Sequence, residues 1–499
     1  RPFSSPRVMF RKTGTKAAHD TETLCALCGH ISPSDEEILQ HAWRNLLLCQ
    51  FHDVAGGVGI ERVHEDANRM LEQSCSMLHE LQNQLIPRLY AIQEEPDMVT
   101  LVNTLGFPRQ EWVKLPDGRE VFAQVEAFST VSLSPATPTN DAASKFPNDA
   151  VQVIESKEGW QVMHPLYSFR IDRSGQIRNL SGSSRESALQ DEGQLMNEWR
   201  FYRNVQTVYD AWELDRDWPE QILPNAVESH ADCVSQDTHG CEFRIIHTFG
   251  NSRAEELIRV RVGDPTIRCY VRVDWHERHK MLKVHFHSNL VTQDAIHEVQ
   301  FGYVRRPTHS STPSASDRYE VCQQRFSAIA EEERGFALLN DCIHGISSDR
   351  GELALTLLRA PQVPDENNNL GLHEMTFSIY PFMCSFAKSQ TTELAVCLNT
   401  PLLAFTGRAE SLAPPCRMIS GNAMISTLMM DRGDMIIRVY NPLATRNSSR
   451  LQLNGTRKAA PCDLAGNEME DAVLCNEIDM DLHAFEVRTY RLCNMHSAQ

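Results

Sequence analysis

The stretch LLLCQFHDVAGG, residues 46–57, decides how the chain is read. Three leucines and a cysteine close an apolar helical run, His52 and Asp53 follow side by side, and Gly56 and Gly57 end the stretch. These residues admit two roles. In one, the pair belongs to the last turn of a helix that the glycines terminate. In the other, His52 is a metal ligand, Asp53 is a carboxylate facing a bound molecule, and the glycines let backbone approach that molecule closely. A zinc site needs three or four donors, so the second role requires partners from elsewhere in space.

The flanks of the stretch are helical. Upstream, a helix is expected from about Ser34 to Phe51, opened by the capping-box-like SDEE and closing in WRNLLLCQF. Downstream, in residues 61–92, Val63, Ala67, Met70, Leu71, Leu78, Leu81, Leu85 and Leu89 recur at spacings of three, four and seven, which predicts an amphipathic helix with one buried stripe. Two helices joined through DVAGG make a hairpin within a small helical bundle.

Near residue 95 the pattern changes to strands. In MLKVHFH, residues 281–287, Leu282, Val284 and Phe286 alternate with Lys283, His285 and His287. GELALTLLRAP, HEVQFGYVRRP and GDMIIRVYNP read as further half-buried strands. Turn-rich breaks at 134–149, 307–316 and 361–371 separate them. Many strands with few helices over some four hundred residues predict large antiparallel sandwiches, and no fixed-period repeat is visible. The expected class is α+β, mostly β.

Composition narrows the function. The chain has 499 residues, enough for roughly three or four domains. Its formal charge of −18 argues against nucleic acid and against anionic membrane as partners. No apolar run approaches the roughly 18 residues of a membrane span. Fifteen cysteines without framework spacing suggest a reduced, cytoplasmic setting, against which the sequons at Asn179, Asn447 and Asn454 weigh little.

Other candidate sites are weaker. His276, His279, His285 and His287 cluster in DWHERHKMLKVHFH, with the last two on one strand face, as a metal pair would be. Exposed strand histidines are commoner than metal sites. Cys25 and Cys28 form a lone C-x-x-C that fits ordinary helical cysteines. There is no phosphate loop, G-x-S-x-G elbow or H-E-x-x-H helix.

WRNLLLCQFHDVAGGVGIERVHEDA, residues 43–67, resembles the helical segment of glycoside hydrolase family 38, the retaining α-mannosidases. The resemblance continues in order through LVNTLGFPR, YSFRIDRSGQIRNL, YDAWELD, VDWHERHKMLKVHF, FGYVRRPTH, GFALLNDCIHG, LALTLLRAP, LGLHEMTFSIYP and FEVRTYRL. The FHD, LLRAP and LHE spellings are similar to the cytosolic and bacterial branch. The resemblance implies a helical middle domain over 1–95, a small β-sandwich segment over 96–150, a large galactose-mutarotase-like β-supersandwich over 151–410 and a C-terminal β domain over 411–499.

It also implies roles. His52 would be a ligand of a catalytic zinc or cobalt ion, and Asp53 and Arg359 would contact a mannose-containing oligosaccharide. In the family, an aspartate nucleophile forms a glycosyl-enzyme and a second acid protonates the leaving oxygen. No match to the family's H-x-D-aromatic or P-D-x-F-G blocks occurs, and His230-Ala231-Asp232 lies in a strand-rich region away from any motif. The nucleophile, the acid and the other metal ligands are therefore expected upstream of Arg1, in a barrel, and the chain alone is expected to be inactive. AGGVGI, residues 55–60, departs from the family's L-P-G-[ST]-[ST]-I, with Val58 and Gly59 where hydroxyl residues stand. The alternative is a non-catalytic carbohydrate-binding or interaction β-sandwich protein. Homo-oligomerisation is left open.

Overall fold

A computed structural model describes residues 6–90, 93, 95, 97–115, 118–134, 150–182, 187–410 and 413–493, with side chains from Gly14 onward. The turn-rich segment expected at 134–149 lies outside the described residues beyond Ser134.

Four helices open the chain: α1, Pro6–Leu27; α2, Pro33–Cys49; α3, a single turn over His52–Ala55; and α4, Glu61–Leu89. Helix α2 starts slightly earlier than SDEE suggested. Pro33 occupies its first turn, so the cap is Ser32, whose hydroxyl accepts from the Asp35 amide at 3.2 Å. The α4 stripe buries Ala67, Leu71, Leu78, Leu81 and Leu85, as its periodicity requires, but Val63 is exposed. Helix α1 carries too many polar residues to show an apolar stripe in the sequence. Ala17 and Ala18 pack with Leu46 and Leu71, and the Ala17 carbonyl accepts from Gln82 Nε2 at 3.0 Å. Cys25 lies buried in α1, where burial pushes its thiol up to about 12. It is a structural cysteine, not a reactive one.

The body of the chain is antiparallel β. One nine-stranded sheet runs from Glu228–Asp237 at one edge to Gly302–Pro307 at the other. A second has the order Val321–Cys322, Gly345–Asp349, Glu352–Arg359, Lys280–His287, Met196–Arg203, Ile177–Gly182, Tyr167–Asp172, Gly159–Met163, Gln152–Ser156. The two sheets share one apolar core, with Phe286 edge-on to Phe377 at 5.7 Å and Phe201 edge-on to Trp275 at 6.0 Å. A six-stranded sheet between Cys416 and Cys493 follows.

The small sheet near residue 100 is built differently from the expected linear order. Val99–Val102 pairs with Thr130–Leu133 on one side and with Leu403–Thr406 on the other. The latter strand falls within 151–410, the range expected to form the large supersandwich. Strand pairing across three hundred residues is long-range information that local pattern does not carry.

The strand Lys280–His287 alternates as expected, but its second face is not open. Lys283 is fully buried and His285 nearly so, because the outer face of the sheet is covered there. Trp218, in the turn Trp218–Gln221, lies with its ring centroid 4.4 Å from Lys283 Nζ. Glu320 accepts from the same ammonium at 2.7 Å. The expectation of exposed strand histidines fails for His285.

Candidate functional site

The His-Asp pair is not the end of α2. Phe51 takes an extended conformation after that helix, and His52 then starts the separate turn α3. Gly57, at φ +68°, follows in the left-handed region that favours glycine. Its carbonyl accepts from buried Asn368 Nδ2 at 2.9 Å, which ties the turn to the sandwich. Asn368 sits in the NNN run of a turn, where sequence gave no reason to single it out.

This arrangement presents both side chains outward. His52 Nε2 and Asp53 Oδ2 stand 3.5 Å apart, with side-chain exposures of 65% and 46%. Phe51 lies against the imidazole at 4.2 Å between centroids, and Trp212 approaches it from the sandwich at 6.4 Å. An imidazole, a carboxylate and two flanking aromatic rings suit a ligand with hydroxyls on its edges and an apolar face. Trp212 lies in the YDAWELD segment, and only the fold reveals that it meets His52.

The surface carrying the pair is unusually apolar. Leu47, Leu48, Phe51, Ile60 and Val63 are all exposed, as are Val205, Val208, Tyr209 and Trp212 on the loop that reaches His52. Solvated helices do not gather so many apolar side chains without a covering partner.

Arg359 is placed behind this surface, not on it. Its side chain is fully buried. Nε donates to Asn204 Oδ1 at 2.6 Å and Nη2 donates to the Asp210 carbonyl at 2.5 Å. Asp210 Oδ2 in turn accepts from the backbone amides of Gln362 at 2.5 Å and Val363 at 3.2 Å. Arg359 thus holds both ends of the loop whose next residues are Ala211 and Trp212. Replacing it with methionine keeps most of the volume but strands these acceptors. The expected loss is about 1.5 kcal/mol in a urea titration, with a changed Trp212 emission.

His52 and Asp53 do not make a complete metal site. They offer two donor groups, and neither lies in a cluster of three. Among the described residues, the one group of three or more close donors is His285, His287 and Glu352, on the outer face of the second sheet. His276 pairs with Asp274 at 2.9 Å, and His279 Nδ1 lies 3.8 Å from Asp210. His230 and Asp232 stand 3.3 Å apart on an exposed edge strand.

Comparison with known proteins agrees with this architecture. Residues 11–89 match the Alpha mannosidase middle domain, 162–367 the Glycosyl hydrolases family 38 C-terminal domain, and 422–490 the family 38 C-terminal beta sandwich domain. Alpha-mannosidase 2C1 of Mus musculus is 33% identical over 95% of this chain and 47% of its own length. The Homo sapiens Alpha-mannosidase 2C1 is 30% identical over 89% of this chain and 44% of its own. The chain spans about half the length of these curated relatives. The crystal structure of an alpha-mannosidase from Enterococcus faecalis V583 superposes with a TM-score of 0.77 at 13% identity, covering 98% of this chain and 67% of that one, which speaks for the fold alone. The chain belongs to glycosyl hydrolase family 38, whose middle, C-terminal and C-terminal β-sandwich domains it carries in that order.

Proposed function

We propose that this chain is the C-terminal portion of a retaining, metal-dependent α-mannosidase that removes terminal α-D-mannose from free oligosaccharides in the cytoplasm. The observation that carries the proposal is the outward-facing His52–Asp53 pair set in an apolar rim. A half-site of this kind, with Trp212 beside it, is what a catalytic domain would cover and complete. His52 supplies one metal ligand and Asp53 accepts from sugar hydroxyls, while the Trp212 ring stands 6.4 Å from the imidazole. The zinc or cobalt ion, when bound by a full donor set, would act as a Lewis acid that orients the sugar. Arg359 serves the site by fixing the loop of Trp212. All fifteen cysteines are free, which fits a reducing compartment. Among the described residues, no helix is long and apolar enough to cross a membrane.

The chain alone lacks an assigned nucleophile and acid, so it should not turn over an aryl α-mannoside. In the complete reading frame that contains it, hydrolysis should be present and should fall at least tenfold on His52→Ala, since losing even an outer-shell partner costs that much. Turnover by the isolated chain, or undiminished hydrolysis in the His52→Ala protein, would refute the proposal.

A further inference from the structure

We propose that His285, His287 and Glu352 form a second metal site, for a divalent ion of the zinc class, on the outer face of the sandwich and independent of His52. Three of its features are built into the fold. His287 lies directly across the antiparallel ladder from Glu352, and His285 across from Ala354. The donors therefore sit on two adjacent inner strands rather than on loops. All their ligand atoms fall within 4.8 Å of one another. Glu352 Oε1 contacts His285 Nδ1 and lies 3.0 Å from His287 Nε2. Neighbouring donors on a tetrahedral zinc are about 3.3 Å apart for bonds near 2.0 Å, so little movement is needed. The two rings are 20° from parallel with centroids 6.4 Å apart, as side chains two residues apart on one strand face should be.

The second feature is behind the ring of His285. Tyr202 Oη lies 2.8 Å from His285 Nε2, in a buried contact. A ligating histidine commonly donates its far N–H to such a partner, which fixes its tautomer and orientation. Without an ion, His285 uses Nδ1–H toward Glu352 and accepts from the Tyr202 hydroxyl. With an ion on Nδ1, the proton moves to Nε2 and the phenol becomes the acceptor. The imidazole is neutral in both states, so no net proton is released.

The third feature is charge. Arg200 is the competing cation. Its Nη1 lies 3.4 Å from His285 Nδ1, and its Nη2 lies 3.2 Å from His287 Nε2 and 2.7 Å from Glu198 Oε2. The guanidinium and the Glu352 carboxylate both stand at the nitrogens of the two imidazoles that an ion would take. An ion there displaces Arg200 onto Glu198 alone. Glu352, Glu198 and Arg200 together leave one net negative charge to receive the divalent ion. Two imidazoles and one carboxylate are borderline donors that favour zinc or cobalt over calcium or magnesium. His287 and Glu352 keep side-chain exposures of 32% and 20%, which leaves an approach from solvent and room for water ligands.

Cobalt titration of the chelator-treated 499-residue chain tests the site directly. One equivalent of Co²⁺ should give the visible d–d bands of a low-coordinate N/O site. His52→Ala should keep them. His287→Ala and Glu352→Gln should each weaken binding at least tenfold while near-ultraviolet circular dichroism stays native, and Arg200→Gln should tighten binding. Absence of bands in the unaltered chain, survival of the bands in His287→Ala, or their loss in His52→Ala would each overturn the assignment. The last outcome would place the ion at His52 instead.

Discussion

Replacing Lys283 with methionine should destabilise the chain by about 3–5 kcal/mol, the range for breaking a buried ion pair by removing one partner. Lys283 has no exposed surface, and Glu320 is 7% exposed. The ammonium donates to Glu320 Oε2 and Thr356 Oγ1, each at 2.7 Å, and Trp218 lies over it. Burial lowers the ammonium's pKa, and Glu320 opposes that shift by favouring the charged form. Methionine fits the same channel, so the volume changes little. What remains is the Glu320 carboxylate, buried and, among the described residues, with only the Thr356 hydroxyl, at 2.5 Å, to donate to it. The damage is local in origin but wide in effect. Lys283 clamps both the Trp218 turn and the segment ending in Glu320 onto the outer sheet face. Urea denaturation of Lys283→Met measures the loss. Adding Glu320→Gln in that background should recover most of it, because the stranded charge is then gone. A loss under about 1 kcal/mol, or no recovery in the double variant, would show that the pair is not held charged.

The same residue shows what the sequence could and could not disclose. The alternation in MLKVHFH assigned Leu282, Val284 and Phe286 to the core, and all three are buried there. It also left Lys283 and His285 on the other face, where water was the natural neighbour. The cover comes from Trp218 and Glu320, some 65 residues earlier and 37 later in the chain, and no local period encodes that. Glu352 was invisible as a partner of His285 and His287 for the same reason, since it meets them through a ladder register. The helical hairpin was legible because α2 and α4 each bury a stripe. Helix α1 was not, since its polar residues face other parts of the chain: Asp20 accepts from Thr104 Oγ1 at 2.6 Å, and His19 Nε2 lies 3.2 Å from the Ser426 carbonyl. His52 and Asp53 could be picked out because the surrounding spelling resembles a family. Their neighbours could not: Trp212 reaches His52, and Asn368 reaches Gly57 just past α3, from 160 and more residues away.

Acid should destabilise the chain by about 2.3 kcal/mol between pH 6.5 and 4.5 through His297 alone, if its folded-state pKa lies far below its unfolded one. His297 is wholly buried, and burial, reinforced by Arg306, lowers it from 6.5 to about 3. Its Nδ1 lies 2.7 Å from Ser327 Oγ, which itself donates to Gln323 Oε1 at 2.9 Å, so Nδ1 is the nitrogen that carries the proton. Nε2 has no hydrogen-bond partner among the described residues, and Arg306 Nη1 is likewise without one. A second proton on Nε2 would therefore be buried near a guanidinium charge with nothing to accept it. The sign follows from proton counts. Below 6.5 the unfolded chain binds a proton at this position and the folded chain does not. Stability is thus fully present above 6.5 and drains away as pH falls toward about 3, at about 1.4 kcal/mol per unit once the unfolded histidine is mostly charged. Carboxylates add to the loss only nearer their own range, but His285, which burial likewise lowers to about 4, contributes over the same window, so the difference between the unaltered chain and the His297 variant is what isolates this imidazole. Urea midpoints measured at steps between pH 7 and 4.5 give the slope, and His297→Gln should flatten it by close to one proton, whatever that substitution does to stability at pH 7. An unchanged slope in His297→Gln would mean that the imidazole already takes up its proton in the folded chain, and that Arg306 does not face it as the structure places it.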